Sequence, residues 1–542
     1  MREPGQPIID QERSPETPLG KRFHGRLLAT GVALPAGLIA SILAVVSMGS
    51  LFFLLGTPTP VELFGDFVLK HIDVNTFIVL LSKFNNGNSK SGPLSLALLG
   101  MIVLGTILGP AYAAIVGLLP PVDGYRPHRR EWLTALAFCL VMTLLAIALF
   151  WIELPQNHYG QPLFWARMLS MLALFIDFAI YAVALCLLHR ALLPKQTAAT
   201  IEVSSGARRQ VLTQAGVVVL GIGGGLAALE LIRSYYSLYT TYDGTKYRPA
   251  ANKTLPITPN DLHYVVTQNA VDPATDISLW RLEITGLIQH SGVYTYDEVL
   301  KLPSTERAVT LECIANGIGD HLISTAVWKG VPLRALLDLH GGAQLGASYI
   351  AFHSVDGYIV SLPLKEVLDV DPLLAYHMNQ VPLPARHGYP MRVLIPGRFG
   401  EENSKWLTRI ELTDHFVQGL YSSQGWYNGP LHTIARIDRP VDKLQSGQSV
   451  EVAGLAFAGH RSISKVEVST DDGATWRQAT LDPPLSQDSW VLWSWSWIPK
   501  LPGTYMLVVR ATDGNGEIQT ENIQGTVPNG ATGYHKRTVV VA

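Results

Sequence analysis

Cysteine is nearly missing from this sequence: Cys139, Cys186 and Cys313 are the only three in 542 residues. Three thiols cannot supply a four-thiolate iron–sulfur centre, and no CxxCH run is present, so neither a four-thiolate iron–sulfur centre nor a covalently attached haem is expected, which leaves open only a haem held by His71 and His158. Charge is scarce as well, at 15% of residues with a formal net charge of −2. That balance has no basic surplus, and no nucleic-acid partner is expected. A positive mean hydropathy of +0.21 with so few charges points to a chain partly embedded in lipid.

Long apolar runs are what the sequence has instead. Leu27 to Leu55, Leu94 to Leu119, Trp132 to Leu154, Leu163 to Leu193 and Val211 to Ile232 are each long enough to cross ~30 Å of hydrocarbon, giving five expected spans. Val61 to Phe84 is apolar but carries Glu62, Asp66, Lys70, His71, Asp73 and Lys83, so it reads as amphipathic helices at the interface. Lys21, Arg22 and Arg26, then Arg126, Arg129 and Arg130, then Arg190, Lys195, Arg208 and Arg209 lie on one side of the spans; Pro155 to Pro162 has no Lys or Arg. The positive-inside rule then places the N-terminus in the cytoplasm and everything after Ile232 outside a multi-pass cytoplasmic membrane, in the periplasm or at the cell exterior. Arg208-Arg209 before the fifth span resembles a twin-arginine export signal, although positive-inside charge explains the pair equally well. Asp177, deep in the fourth span, is either functional or a hydrogen-bonded packing residue.

In the exported part Cys313 is alone, so no disulfide can form there. Val309, Leu311 and Cys313 alternate with Thr310 and Glu312, the period of a half-buried strand. Asn316, Gly317 and Gly319 then turn the backbone tightly enough to approach a ligand, and Pro332 stands near the first turn of a helix. Such a thiol is either a soft-metal or covalent centre or simply a small buried hydrophobe. A second stretch, Arg386 to Gly400 leading into Ser404-Lys405-Trp406-Leu407, interleaves His387, Arg392, Arg398 and Lys405 with glycines and a hydrophobic strand. That set suits a phosphate joined to a polar heterocycle, because Arg forks onto phosphate oxygens and Gly lets backbone N–H groups reach them.

Taken together, LECIAN with WKGVPL, AYHMN with HGYPMRVLIPGRFG, and SKWLTRIEL resemble the molybdopterin-binding domain of the sulfite oxidase family, from about Leu255 to the C-terminus. The resemblance implies a molybdenum–molybdopterin cofactor whose metal takes Cys313 as a thiolate ligand. It implies that His387 and Arg392 contact the pterin phosphate region with Lys405 nearby, and Asn316, Gly317 and Arg398 join them as expected cofactor-binding residues. Trp426 and Tyr427, in a GWYNG turn, are expected to line the substrate pocket. Two departures bear on substrate. The family's cations near Thr267-Gln268-Asn269 are missing, and Ile318 stands where sulfite oxidases have an Arg that helps to bind their anion. Losing that charge from a desolvated pocket weakens anion binding strongly. Asp320 and His321 serve either in proton transfer or in contacts to cofactor or solvent.

Past Asp438 the pattern turns to short alternating strands, at Ser449 to Ala453, Lys465 to Ser469, Tyr505 to Ala511 and Arg537 to Val541. This is expected to be an immunoglobulin-like sandwich, similar to the family's dimerisation domain, which leaves a homodimer open. Ser469 to Trp476 matches an Asp-box, read here as a hairpin turn, and Trp490, Trp493, Trp495 and Trp497 as packing residues. The expected organisation is therefore a cytoplasmic tail (1–24), a five-span helical membrane domain (25–232), a linker (233–254), an α+β molybdopterin domain (255–437) and an all-β sandwich (438–542). The expected activity is oxygen-atom or two-electron transfer on a small neutral S- or N-oxide, with electrons exchanged with an external cytochrome or quinone. Sulfite-type oxidation, a non-catalytic adhesion protein with a relic pterin domain, and a transporter or sensor are the competing readings.

Overall fold

The computed structural model describes residues 18–73, 91–116, 126–193, 253–267, 272–441 and 443–542, with single positions at 76, 216, 219, 223, 227 and 230. Among the described residues five helices come first: α1 (Pro18–Leu55), α2 (Pro60–His71), α3 (Ser91–Val116), α4 (Arg129–Leu149) and α5 (Leu163–Leu192). Four stretches of them are long and apolar enough to cross a membrane: Thr30–Leu55, Ala97–Val116, Arg129–Leu149 and Leu163–Leu192. The expected fifth span, the Arg208-Arg209 pair and nearly all of the expected linker lie outside the described residues. The third span stops at Leu149 rather than at Leu154. Pro155 forbids its predecessor a comfortable helical conformation, and the chain turns from Phe150 onward.

The chain divides into two compact units, the first holding α1 to Ser50, Ser95–Leu149 and Leu172–Ile232. Small residues line its interior: Ala36, Ala40, Ala182 and Cys186 are buried, whereas Leu99, Leu104, Ile107 and Leu144 are exposed. Large apolar groups outside and small ones inside is the arrangement of helices that face lipid and approach one another closely. The approach is tight enough that a Cβ on Gly109 would sit 2.2 Å from the carbonyl oxygen of Ala33. Asp177 is buried here, and its Oδ1 has no partner among the described residues.

The second unit takes Leu51–Leu94, Phe150–Met171 and Arg233–Ala542. The expected amphipathic helix is α2, closed at its N-terminus by a capping box between Thr59 and Glu62. The loop after α4 hydrogen-bonds into the β-rich body, with Asn157 N–H donating to Val355 O (3.1 Å) and Asp276 N–H to Tyr159 O (3.2 Å).

Ten strands build the middle of this unit: β1 (Leu282–Gly286), β2 (Gly292–Tyr294), β3 (Thr305–Glu312), β4 (Ile323–Pro332), β5 (Tyr349–Ser354), β6 (Ile359–Pro363), β7 (Leu373–Met378), β8 (Val381–Pro382), β9 (Arg392–Leu394) and β10 (Leu407–Thr413). One sheet runs β2-β1-β10-β5-β6 and a second β3-β4-β7-β8 with β9 on β7. Only the β1–β10 pair among them is parallel. Trp280, Leu282, Ile350, Phe352, Ile410 and Leu412 form the core against the first sheet. The second sheet packs Val309, Leu311, Trp328, Ala375 and Leu394 around Cys313.

Strand β3 corrects one expectation. Alternation predicted a half-buried strand, yet every residue from Ala308 to Glu312 is buried. Its polar face is covered because Thr310 bonds across to the C-terminal part, accepting from Trp490 N–H (2.8 Å).

The remaining strands are β11 (Ile434–Arg439), β12 (Val450–Phe457), β13 (Ile463–Ser469), β14 (Arg477–Gln478), β15 (Thr480–Leu481), β16 (Val491–Trp497), β17 (Gly503–Asp513) and β18 (His535–Val541). They form two four-stranded antiparallel sheets, β11-β12-β16-β15 and β14-β13-β17-β18. Ile437, Val452, Val466, Trp493, Leu507 and Val509 share one core. The first strand begins at Ile434, ahead of the expected boundary at Asp438. Ser469 to Trp476 is a hairpin turn, with Val468 paired to Arg477 and Asp471 Oδ1 accepting from Thr475 N–H at 2.8 Å. Trp493 and Trp497 are buried, and Trp490 Nε1 donates to Pro256 O (3.1 Å), so these indoles are packing groups.

Candidate functional site

The antiparallel pair β3–β4 closes at Glu312 opposite Ile323, and the ten residues between form a loop that opens on Cys313. Asn316 braces the neck of this loop. Its Nδ2 donates to Glu312 Oε1 (2.9 Å) and its Oδ1 accepts from Leu322 N–H (2.9 Å). Cys313 N–H donates to Leu322 O at 2.9 Å, which fixes where the thiol points. Gly319 has φ +89°, and a Cβ there would meet His535 Nε2 at 2.6 Å, so the loop needs glycine at that position. Asn316 was expected to hold a cofactor, but both ends of its amide are engaged inside the loop.

Cys313 is 8% exposed. Burial, and next the nearby Glu401 carboxylate, push its thiol up to about 12. A bare sulfur here keeps its proton at neutral pH; a metal cation reverses that, because a coordinating thiol is deprotonated outright. The surroundings fit a missing polar group. Tyr264 Oη and Glu312 Oε2 are buried and have no partner among the described residues.

A second cluster is cationic. His387 lies on the turn Ala385–His387, with its Nε2 donating to Asn260 O (2.8 Å). Gly388 has φ +114°, and a Cβ there would stand 3.0 Å from the Cβ of Lys405, so the turn needs glycine at that position. Arg392 donates through Nη1 to His387 O and through Nη2 to Asn403 O, both at 3.1 Å, and stacks its guanidinium 5.2 Å over Trp328. Its Nε has no partner among the described residues. Lys405 Nζ donates to Arg386 O (3.2 Å) and lies 4.2 Å above Trp406. Burial lowers His387 to about 3, Lys405 to about 8 and Arg392 to about 10, and the like charge of Arg392 presses further on the first two. His387 is thus neutral, while Arg392 and Lys405 are buried cations of which the first opposes the charge of the second, and such a pocket suits an anion such as a phosphate.

The structure thus gathers His387, Arg392 and Lys405 at one place. Arg398 is engaged elsewhere, paired with Glu366 and, at 3.6 Å, with Glu402. Gly317 lies in the Cys313 loop, where a Cβ would stand 2.5 Å from the Asp320 carboxylate. Trp426 stacks on Tyr421 at 4.2 Å and Tyr427 on His432 at 5.3 Å. Both pack against the cluster that contains Ile314 and touches Ile318. Sequence reading missed His263, Tyr264 and Glu401. Nothing in the string DLHYVV marks its His as interior, and Glu401-Glu402 reads as a solvated pair.

Lys405 gives a pH test on the cofactor-free protein. Its folded form loses the proton near pH 8, whereas the reference lysine value is 10.5. Between those values the unfolded chain holds the extra proton, so stability rises with pH, by on the order of 3 kcal/mol in all. Urea midpoints measured at pH 7.5 and at pH 10 should climb in the wild type, and Lys405→Met should remove that rise.

Residues 269–421 match the model of the oxidoreductase molybdopterin binding domain, and residues 430–540 that of the Mo-co oxidoreductase dimerisation domain. Among curated relatives, an inducible NADH nitrate reductase of Glycine max is 28% identical over 50% of this chain and 38% of its own length. An NADH nitrate reductase of Phaseolus vulgaris is 29% identical over 49% of this chain and 37% of its own. The chain therefore spans well under half the length of these relatives. Among solved structures, the sulfane dehydrogenase SoxCD of Paracoccus pantotrophus aligns over 54% of this chain and 82% of its own, with 24% identity and a TM-score of 0.49. The buried thiol, the unpartnered polar atoms near it and the buried cation cluster fit the cofactor that the first of the two family models names, and the chain is a molybdopterin oxidoreductase of the sulfite oxidase family.

Proposed function

We propose that the chain is a membrane-anchored, extracytoplasmic molybdenum enzyme acting on a small neutral S- or N-oxide. The single observation that carries the substrate class is the state of the charges beside the Cys313 loop. A cleft there is lined by Glu312, Asn316, Ile318, Asp320, Ile434 and Arg436. Its one arginine is fully engaged: Arg436 Nε donates to Asp438 Oδ1 (2.6 Å), Nη1 to Asp320 O (2.7 Å) and Nη2 to Thr254 Oγ1 (3.1 Å). Ile318 packs on apolar neighbours. An anion entering such a cleft would lose its hydration and gain no cation in return.

Bound in this site, the molybdenum–pterin group supplies oxygen-atom transfer coupled to a two-electron change. Cys313 is the thiolate ligand, and Asn316 holds its loop in place. His387, Arg392 and Lys405 hold the phosphate end. Trp426 and Tyr427 wall the substrate side and keep water out, and a neutral oxide fits the apolar patch that Ile318 provides. Electrons come from an external carrier, a membrane cytochrome or a quinone, since the chain's three cysteines leave no room for a second cluster.

The topology with the N-terminus inside and the catalytic part outside rests on the Lys/Arg-free loop from Pro155 to Pro162 and on a fifth span at Val211 to Ile232 in addition to the four apolar helices, because four crossings alone would return the chain to its starting side. The two C-terminal sheets around one core support an immunoglobulin-like sandwich, and through it a homodimer. The nitrate reductase relatives, by name, act on an anion, which gives the competing reading its footing.

Assay of purified protein with reduced dyes as donors, and oxidised dyes as acceptors, separates the two. Neutral sulfoxides and N-oxides should turn over, with nitrate and sulfite far slower. Ile318→Arg should raise kcat/KM for the anions by about 10- to 100-fold, the worth of a hydrogen bond to a charged group. Efficient wild-type turnover of nitrate or sulfite would overturn the neutral-substrate reading.

A further inference from the structure

His263 sits beside the cation cluster without bonding to it. The imidazole is 1% exposed. It meets His387 edge-on at 5.2 Å between ring centroids and Trp328 edge-on at 5.7 Å. Its Nδ1 lies 3.1 Å from Tyr264 O. A carbonyl oxygen only accepts, so Nδ1 carries the proton. Burial, then the neighbouring His387, keeps the ring from taking a second proton. Nε2 is therefore a bare lone pair, and it has no partner among the described residues.

The donors nearest to it are directed away. His387 Nε2 points at Asn260 O, Lys405 Nζ at Arg386 O, and two nitrogens of Arg392 at carbonyl oxygens. What remains among the described residues is an unmatched acceptor, His263 Nε2, and an unmatched donor, Arg392 Nε, on a guanidinium near enough to oppose protonation of His263, with the Tyr264 hydroxyl unmatched as well. A phosphate with only anionic oxygens would satisfy the arginine and leave the histidine orphaned. A ligand that satisfies both must present oxygen acceptors and a proton-bearing atom within one small volume.

We propose that His263 is a cofactor-recognition residue that accepts a hydrogen bond from a donor on the bound pterin cofactor. The donor is either a ring N–H or the O–H of a singly protonated phosphate, and both meet the same lone pair. The inference rests on the reading of the cation cluster as the cofactor's anion pocket. It goes beyond that reading by giving a neutral imidazole, outside the motifs that mark the pocket in the sequence, a selective role. A buried acceptor left empty destabilises the cofactor-free protein and is relieved on binding, so His263 favours the loaded state twice over.

The test uses the full-length chain, in detergent, as wild type, His263→Phe and His263→Gln. Each is made with cofactor and in a host that cannot make it. Molybdenum per chain, fluorescence of the released pterin with time, and melting temperature are read for all. Cofactor-free His263→Phe should melt no lower than cofactor-free wild type, because the orphaned acceptor has gone. Loaded His263→Phe should lose most of the melting-temperature rise that the cofactor gives, and release pterin at least ~10-fold faster. His263→Gln, whose amide oxygen is an acceptor, should recover part of that difference.

Repeating the release at pH 6 and pH 8 distinguishes the donors. A ratio of variant to wild-type rates that is the same at both values identifies a ring N–H, and one that collapses at pH 8 identifies the phosphate O–H. Equal release from wild type and His263→Phe overturns the proposal. So does a fall in melting temperature that is the same with and without cofactor, since that is packing alone. Wild type that takes up no molybdenum in a competent host would instead bring down the pocket reading, and this inference with it.

Discussion

Cys313→Ser should leave the fold and the pterin in place and abolish turnover. Serine is nearly the same size, and the donor that fixes the loop, Cys313 N–H to Leu322 O, is backbone. The cation cluster proposed to hold the phosphate end is anchored on residues 385–405, a separate stretch of chain. What changes is the atom proposed to bind the metal. A hydroxyl in this buried pocket is a far weaker acid than a thiol, and a hard oxygen is a poor replacement for a soft, polarisable sulfur. Outer-shell changes at metal sites already cost about 10- to 100-fold, so loss of the thiolate itself should cost at least ~100-fold in kcat. The check is threefold: molybdenum and pterin content near wild type, a lost sulfur-to-metal absorption band, and dye-linked turnover at background. Unchanged absorption and turnover would remove Cys313 from the metal.

How much of this was legible beforehand depended on which residues carry their own signal. The span helices declare themselves through length and lack of charge, so α1, α3, α4 and α5 stand close to their expected limits. The Cys313 loop and the run from His387 to Lys405 stood out in the sequence because interleaved glycines and cations suit a backbone-close anion. Arg398 shows where that logic stops. One-dimensional proximity grouped it with Arg392, but the fold gives it the carboxylates of Glu366 and Glu402 instead. Asn316 shows the same thing in smaller compass, because a turn asparagine closes its own loop as readily as it meets a ligand. His263, Tyr264 and Glu401 were illegible for a different reason. Each is polar in a string that reads as surface, and only tertiary packing buries it. Strand β3 fails in the opposite sense, since its alternation implied a solvent face that the C-terminal part covers through Trp490.

The same packing gives the second large effect its unusual sign. Arg392→Met should strip the protein of cofactor while leaving the cofactor-free form as stable as wild type, or more stable. Arg392 is 4% exposed, bonded to two carbonyl oxygens and to no carboxylate, with Nε unmatched among the described residues. A buried charge in that state is costly, and replacing buried ionic groups with apolar side chains is often neutral or stabilising by about 1–4 kcal/mol. Methionine's flexible stem fills the same slot against Trp328. With phosphate present the balance reverses. Removing one partner of a buried, hydrogen-bonded pair costs about 3–5 kcal/mol. That is a loss of roughly 100- to several-thousand-fold in affinity. Arg392→Met protein should therefore purify with molybdenum and pterin well below stoichiometric, and melt below loaded wild type. Its cofactor-free form should match or exceed cofactor-free wild type. Full molybdenum content in Arg392→Met would show that the guanidinium faces something other than the cofactor. A cofactor-free form that unfolds far earlier than wild type would show that its two carbonyl bonds, and not an awaited anion, are why an arginine stands there.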